Sequence, residues 1–178
     1  MRKFHLIAIV LLVLLGFGFI VSSPEKEVDQ VSLVKTPEFL SEKGPWIDSV
    51  MNSLTLEEKI AQLIMYPVYT RGGEKEMQKI ESLIDNYNIG GVIYMQGGPA
   101  RQVKAHNRLM AKSKTPLLTS IDGEWGIRMR LDSVIRFPRQ MLLGAIQHDS
   151  LIYDMGKEIA KQCSLTGVHI NFAPVVDI

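Results

Sequence analysis

Only one cysteine, Cys163, occurs in the 178 residues, so no intrachain disulfide can form. A lone cysteine at helical spacing reads as a small core residue rather than a nucleophile. Charge of one sign is also lacking. Twenty Lys and Arg against nineteen Asp and Glu give a formal net charge of +1. Setting aside residues 1–23, which carry Arg2 and Lys3 and no acid, leaves −1. That balance gives no electrostatic reason to expect nucleic acid or an anionic membrane surface as a partner. No Gly-x-Gly-x-x-Gly and no Gly-Lys-Ser/Thr follows a strand, so nucleotide binding lacks its usual marks. The four histidines, His5, His106, His148 and His169, are scattered, and no clustered ligands point to a metal. No cofactor is called for.

What is present begins with a short apolar run. Residues 6–21 are uncharged, against about 20 residues for a comfortable membrane span. The basic start at Arg2 and Lys3 and the polar Ser22-Ser23 make residues 1–23 a secretory signal. A retained N-terminal anchor is the alternative and would be the only membrane contact. The expected location is periplasmic or secreted. Residues 24–44 are rich in Glu, Lys and Ser and read as a linker.

Globular pattern covers residues 45–178. Ile47, Val50, Met51 and Leu54 fall on one helical face. Thr55 and Glu58 form a capping box, which predicts a helix from Leu56 to about Leu63. Strands are expected at 63–66, 92–95, 116–121 and 168–172. Helices are expected at 74–87 and from Pro99 to about Lys112, with Pro99 in a first turn. Another should carry Ile152, Met155, Ile159 and Cys163, capped by Asp149 and ended by Gly167. Nearly all-apolar strands alternating with helices imply a parallel sheet covered by helices. An open doubly wound sheet and an eight-stranded (β/α)8 barrel both satisfy that pattern. A complete barrel takes about 250 residues. Four strands would make this chain the first half of one, and a truncated sequence.

In parallel α/β folds, chemistry gathers at the C-terminal ends of strands. The segment after the third expected strand runs Asp122-Gly123-Glu124-Trp125-Gly126-Ile127-Arg128-Met129-Arg130-Leu131. Two carboxylates, a Trp and two guanidinium groups lie within it. One reading is carbohydrate. A carboxylate can grip neighbouring hydroxyls, a Trp face can cover the apolar side of a pyranose, and Arg can orient the acid. The other is a loop stitched by Arg–carboxylate pairs, with Trp125 packed beneath. Composition alone does not separate them.

Five segments then resemble the N-terminal domain of glycoside hydrolase family 3, in the family's order. They are Leu56-Glu57-Glu58-Lys59-Ile60-Ala61-Gln62-Leu63, Ile89-Gly90-Gly91-Val92-Ile93, residues 116–130, Phe137-Pro138, and Asn171-Phe172-Ala173-Pro174-Val175-Val176-Asp177. The form Ile121-Asp122-Gly123-Glu124-Trp125-Gly126 is similar to the β-N-acetylhexosaminidase-type members. The resemblance implies a (β/α)8 barrel and a retaining exo-glycosidase that releases terminal β-linked N-acetylhexosamine. Asp122 would bind sugar hydroxyls in the −1 subsite, with Glu124 and Arg130 supporting the loop and Asp177 structural near the site.

No position matches the family's late Asp nucleophile, its Lys-His loop, or the Arg expected soon after Asp177. Retaining chemistry needs carboxyls about 5–5.5 Å apart across the scissile bond. Asp122 and Glu124, two apart in one loop, cannot flank a sugar that way. No catalytic residue is therefore assigned. The candidate substrate-binding residues are Asp122, Glu124, Trp125 and Arg130, and the expected partner is a carbohydrate. A β-glucosidase and a non-catalytic sugar-binding envelope protein are the alternatives.

Overall fold

The computed structural model describes Glu38 and residues 44–175. The expected signal, most of the linker and Asp177 lie outside these residues. Four strands, β1 (Met65–Tyr69), β2 (Gly91–Gln96), β3 (Leu118–Ile121) and β4 (Ile170–Asn171), form one parallel sheet in the order β1-β2-β3-β4. Each strand pairs with the next in sequence. A doubly wound sheet reverses its strand order at a switch point, whereas a barrel runs on in one direction. The observed order is the barrel's.

The helices are α1 (Pro45–Ser53), α2 (Leu56–Ala61), α3 (Gly73–Tyr87), α4 (Pro99–Lys112), the short α5 (Gln140–Leu143) and α6 (Asp149–Leu165). The capping box of α2 is made. Thr55 Oγ1 accepts from the Glu58 N–H at 3.2 Å, and Glu58 Oε2 accepts from the Thr55 N–H at 2.9 Å. That hydrogen bond from the Thr55 backbone holds the Glu58 carboxyl below its ordinary pKa. α3 ends at Asn88, left-handed at φ 53°, whose N–H donates to Ile84 O at 2.9 Å. Gly90 then passes so close to the end of α2 that a Cβ there would lie 1.9 Å from the Gln62 carbonyl oxygen. Only glycine lets the backbone approach so closely.

One face of the sheet carries Val68, Val92, Tyr94, Thr119 and Ile121, all buried. Ile80 and Ile84 of α3 and Ala105 and Leu109 of α4 belong to the same core. Burial of each Ile or Leu contributes about 1.5–3 kcal/mol. Met65, Ile93 and Ile170 on the opposite face stay half-exposed, and Leu118 is exposed. Cys163 lies in the core, where burial raises its thiol pKa. Burial likewise raises the Tyr94 hydroxyl's.

Several boundaries differ from expectation; β3, for one, starts at Leu118 rather than Pro116. β1 starts at Met65 rather than Leu63. Leu63 and Ile64 belong to the exposed turn after α2, and the strand runs through Pro67. Proline is tolerated because β1 has one neighbour among the described residues, so an unmade ladder bond costs little there. β4 is two residues long rather than five. Asp149 is the first residue of α6, while His148 holds the N-cap position and makes no side-chain cap bond.

Candidate functional site

Asp122 follows Ile121 directly, at the C-terminal end of β3. Its Oδ2 forms an ion pair with Arg130 Nη2. Arg130 Nε also donates to the Asp122 carbonyl oxygen at 2.9 Å. One guanidinium thus holds the side chain and the backbone of the same aspartate. The pair is mostly buried, with the side chains 19% exposed for Arg130 and 30% for Asp122. Oδ1 of Asp122 has no partner among the described residues and stays open to a donor from outside.

The intervening residues explain how Arg130 gets there. A turn closes from the Gly126 N–H to Gly123 O at 2.9 Å, and a 3-10 turn covers Ile127–Met129. Ile127 and Leu131 plug the loop into the core at 1% exposure each. The returning segment bridges to Gly97, just beyond the end of β2. The Gly97 N–H donates to Arg130 O at 3.2 Å, and the Asp132 N–H donates to Gly97 O at 2.8 Å. An Arg101–Asp132 ion pair at 2.6 Å fastens the far side. From the other direction, Asn171 of β4 grips Gly123. Its Oδ1 accepts from the Gly123 N–H at 2.9 Å, and its Nδ2 donates to Gly123 O at 3.4 Å. The side-chain amide thereby extends the β3–β4 pairing past the end of the strands. Sequence reasoning quoted Asn171 within a segment but gave it no role. An amide at a strand end beside a glycine loop was the available signal.

The other candidates fall differently. Arg128 Nη1 donates to Leu131 O at 3.4 Å rather than to a carboxylate. Glu124 is fixed through its backbone, whose carbonyl accepts from Gln140 Nε2 at 2.6 Å, and its carboxylate forms no ion pair among the described residues. Trp125 is half-buried, and the guanidinium carbons of Arg136 and Arg139 each lie 5.8 Å from its ring centroid. Sequence reasoning missed both arginines. Their contact depends on Phe137 folding back against Gly126, whose φ of 93° suits glycine; a Cβ at Gly126 would meet Phe137 Cδ2 at 2.8 Å.

A groove of about 820 Å³ runs beside this loop, between Gly123, Glu124 and Asn171 on one side and Ile152, Met155 and Ile159 of α6 on the other. Asp122 does not line it. Its walls are largely apolar, which suits packing better than sugar hydroxyls. No group of three or more His, Cys, Asp or Glu is placed to hold a metal among the described residues.

The parallel sheet in barrel order, with a tethered acidic loop at the end of β3, is that of an α/β-barrel domain. Residues 55–178 match the sequence profile of the glycosyl hydrolase family 3 N terminal domain, and the chain belongs to that family. It is 30% identical over 113 residues to Beta-hexosaminidase A of Pseudoalteromonas piscicida, covering 56% of this chain and 19% of that protein. It is 26% identical over 132 residues to Beta-hexosaminidase LpqI of Mycobacterium bovis (strain BCG / Pasteur 1173P2), covering 70% of this chain and 32% of that protein. The chain therefore spans less than a third of the length of these relatives. Among solved structures, a fungal multi-domain GH3 β-N-acetylglucosaminidase superposes with a TM-score of 0.59 at 28% identity, covering 70% of this chain and 15% of that one. The β-glucoside phosphorylase BglX bound to 2FGlc superposes with a TM-score of 0.60 at 24% identity, covering 75% and 24%. At that identity the second likeness concerns the fold.

Proposed function

We propose that this chain carries the −1 sugar-binding corner of an exported, retaining exo-glycosidase that releases terminal β-linked N-acetylhexosamine from cell-wall or chitin-type oligosaccharides. One observation carries the reading. Asp122 stands at the end of β3 with one carboxylate oxygen held by Arg130 and the other unpartnered. A carboxylate so fixed is ready to accept a sugar hydroxyl without first being ordered. Asp122 is the sugar ligand, and Arg130 orients it. Glu124 and Trp125 complete the rim of the loop.

The hexosaminidase names of the two relatives favour N-acetylhexosamine over glucose. Residues 1–23 direct the protein out of the cytoplasm. No residue of this chain is the nucleophile or the acid, so the 178 residues alone should not turn over p-nitrophenyl β-N-acetylglucosaminide.

In the whole enzyme, Asp122→Ala tests the reading. Each charged hydrogen bond to a bound hydroxyl contributes about 1.5–3 kcal/mol. Loss of one or two lowers kcat/KM by about tenfold to a thousandfold or more. An unchanged kcat/KM would remove Asp122 from the site, and clear turnover by the isolated chain would show that the chemistry had been misplaced.

A further inference from the structure

From a break in the β1–β2 register, we infer that Gln96 is a second ligand of the sugar held by Asp122, donating its side-chain amide to the same hydroxyl. Val68 pairs with Tyr94, but the next residue, Tyr69, pairs with Gln96, so β2 carries Met95 as one extra residue. That is a β-bulge, and a bulge re-aims the side chains beyond it. Along a regular strand Gln96 would share the face of Tyr94, which is buried in the core. Instead Gln96 is exposed, opposite Tyr69, which is 40% exposed. The bulge turns the last side chain of β2 away from the helices, at the C-terminal end of the sheet where Asp122 stands.

The backbone of Gln96 is fixed, and its amide is free. Thr70 Oγ1 donates to Gln96 O at 3.4 Å. The following Gly97 N–H donates to Arg130 O at 3.2 Å, and Thr70 comes so close that a Cβ at Gly97 has no room. Gln96 is therefore held from β1 on one side and from the Asp122–Arg130 loop on the other. Its side-chain amide makes no hydrogen bond among the described residues. Asn171, the other amide at these strand ends, is taken up by Gly123. A free amide on a fixed backbone is a donor already in place, as the open oxygen of Asp122 is an acceptor already in place.

Register places the two side chains together. The last β2–β3 pair is Tyr94 with Ile121, so Asp122 stands level with Met95, one residue short of Gln96. A strand spacing of about 4.8 Å and a rise of about 3.3 Å put the Cα atoms of Gln96 and Asp122 about 6 Å apart. Ile121 is buried with the helices, so Asp122 falls on the opposite face, the one to which the bulge turns Gln96. The chemistry is complementary. A carboxylate can only accept, so the sugar hydroxyl donates to the oxygen that Arg130 leaves open. That hydroxyl keeps two lone pairs, which need a donor. Gln96 Nε2 supplies it without bringing a second charge. The inference rests on the proposal that Asp122 binds the terminal sugar.

The test uses the whole enzyme with p-nitrophenyl β-N-acetylglucosaminide and its 3-, 4- and 6-deoxy analogues. kcat/KM is measured for wild type, Gln96→Leu and Asp122→Ala. A shared hydroxyl predicts that Gln96→Leu slows the parent substrate about tenfold, the scale of one hydrogen bond. One deoxy analogue should be untouched by Gln96→Leu, and the same analogue should lose less than the parent on Asp122→Ala. Gln96→Glu, matched in shape but acceptor-only beside Asp122, should be at least as slow as Gln96→Leu, which a merely space-filling side chain would not require. No loss in Gln96→Leu, or equal losses on every substrate, overturns the contact. So does an insensitive analogue that Asp122→Ala slows as much as the parent. Those results leave the role of Asp122 standing. If wild type fails to cleave the parent, or Asp122→Ala leaves its kcat/KM unchanged, the proposed function fails and the inference falls with it.

Discussion

Arg130→Met removes the group that holds Asp122 while keeping an apolar side chain of similar length. Two hydrogen bonds are lost, one to the Asp122 carbonyl at 2.9 Å and one to its carboxylate. Breaking a fully buried pair costs about 3–5 kcal/mol, and an exposed pair contributes about 0–1. Side-chain exposures of 19% and 30% place this pair between those limits. The expected loss is about 2–3 kcal/mol. Equilibrium urea unfolding of the full chain should show it as a midpoint lowered by about 1–2 M, for a slope of about 1.5 kcal/mol per molar. Arg130→Lys should recover part of the loss, because one ammonium supplies the charge without the fork. Kinetics of the whole enzyme then separate orienting Asp122 from touching substrate. If Arg130 acts through Asp122, the Asp122→Ala/Arg130→Met double variant should be no slower than Asp122→Ala alone. Additive losses would refute the reasoning, as would an Arg130→Met protein within about 0.5 kcal/mol of wild type.

Gly90→Ala should lower Tm by about 10 °C, because its Cβ would sit 1.9 Å from the Gln62 carbonyl and force α2 away from β2, a strain of about 3 kcal/mol. A shift under about 2 °C in a thermal melt would show that the two elements separate without cost. His106 supplies a pH dependence. Burial, and secondarily the charge of neighbouring His169, push its pKa below the ordinary 6.5. As pH falls through about 6.5, the unfolded chain takes up a proton that the folded chain refuses, so stability drops and then levels off below the folded pKa. Denaturation midpoints measured across this range should flatten in His106→Gln, and an unaltered slope would assign the dependence to another group.

What could be read from the sequence depended on how local the cause was. The helix at Pro99–Lys112 was expected with those bounds, because proline in the first turn and the apolar spacing act within a few residues. The Thr55 cap was legible for the same reason. The apolar run at 63–66 misled, because Leu63 and Ile64 are exposed in a turn, while Pro67 disguised the strand beyond it. Apolar runs do not say which neighbour will cover them. The opening acidic residue of the loop was legible as chemistry. The family resemblance singled out Arg130, but spacing alone did not say which of Arg128 and Arg130 would meet Asp122. That choice follows from Ile127 and Leu131 plugging the core and from Gly97 bridging to the returning segment.

The same long-range ties would suit this loop to the binding role proposed for it. A loop of ten residues left free would lose about 1–2 kcal/mol per residue in backbone entropy on clasping a ligand. Here that ordering is done during folding. Asn171 holds Gly123 from β4, Gly97 holds the 130–132 return from β2, and Gln140 holds Glu124 from α5. Three elements distant in sequence converge on one short segment, and the Asp122–Arg130 clamp closes it. On the proposed reading, fixing one carboxylate oxygen while leaving the other open would give a sugar hydroxyl an acceptor whose position is already set. Binding energy can then go into the substrate rather than into ordering the protein.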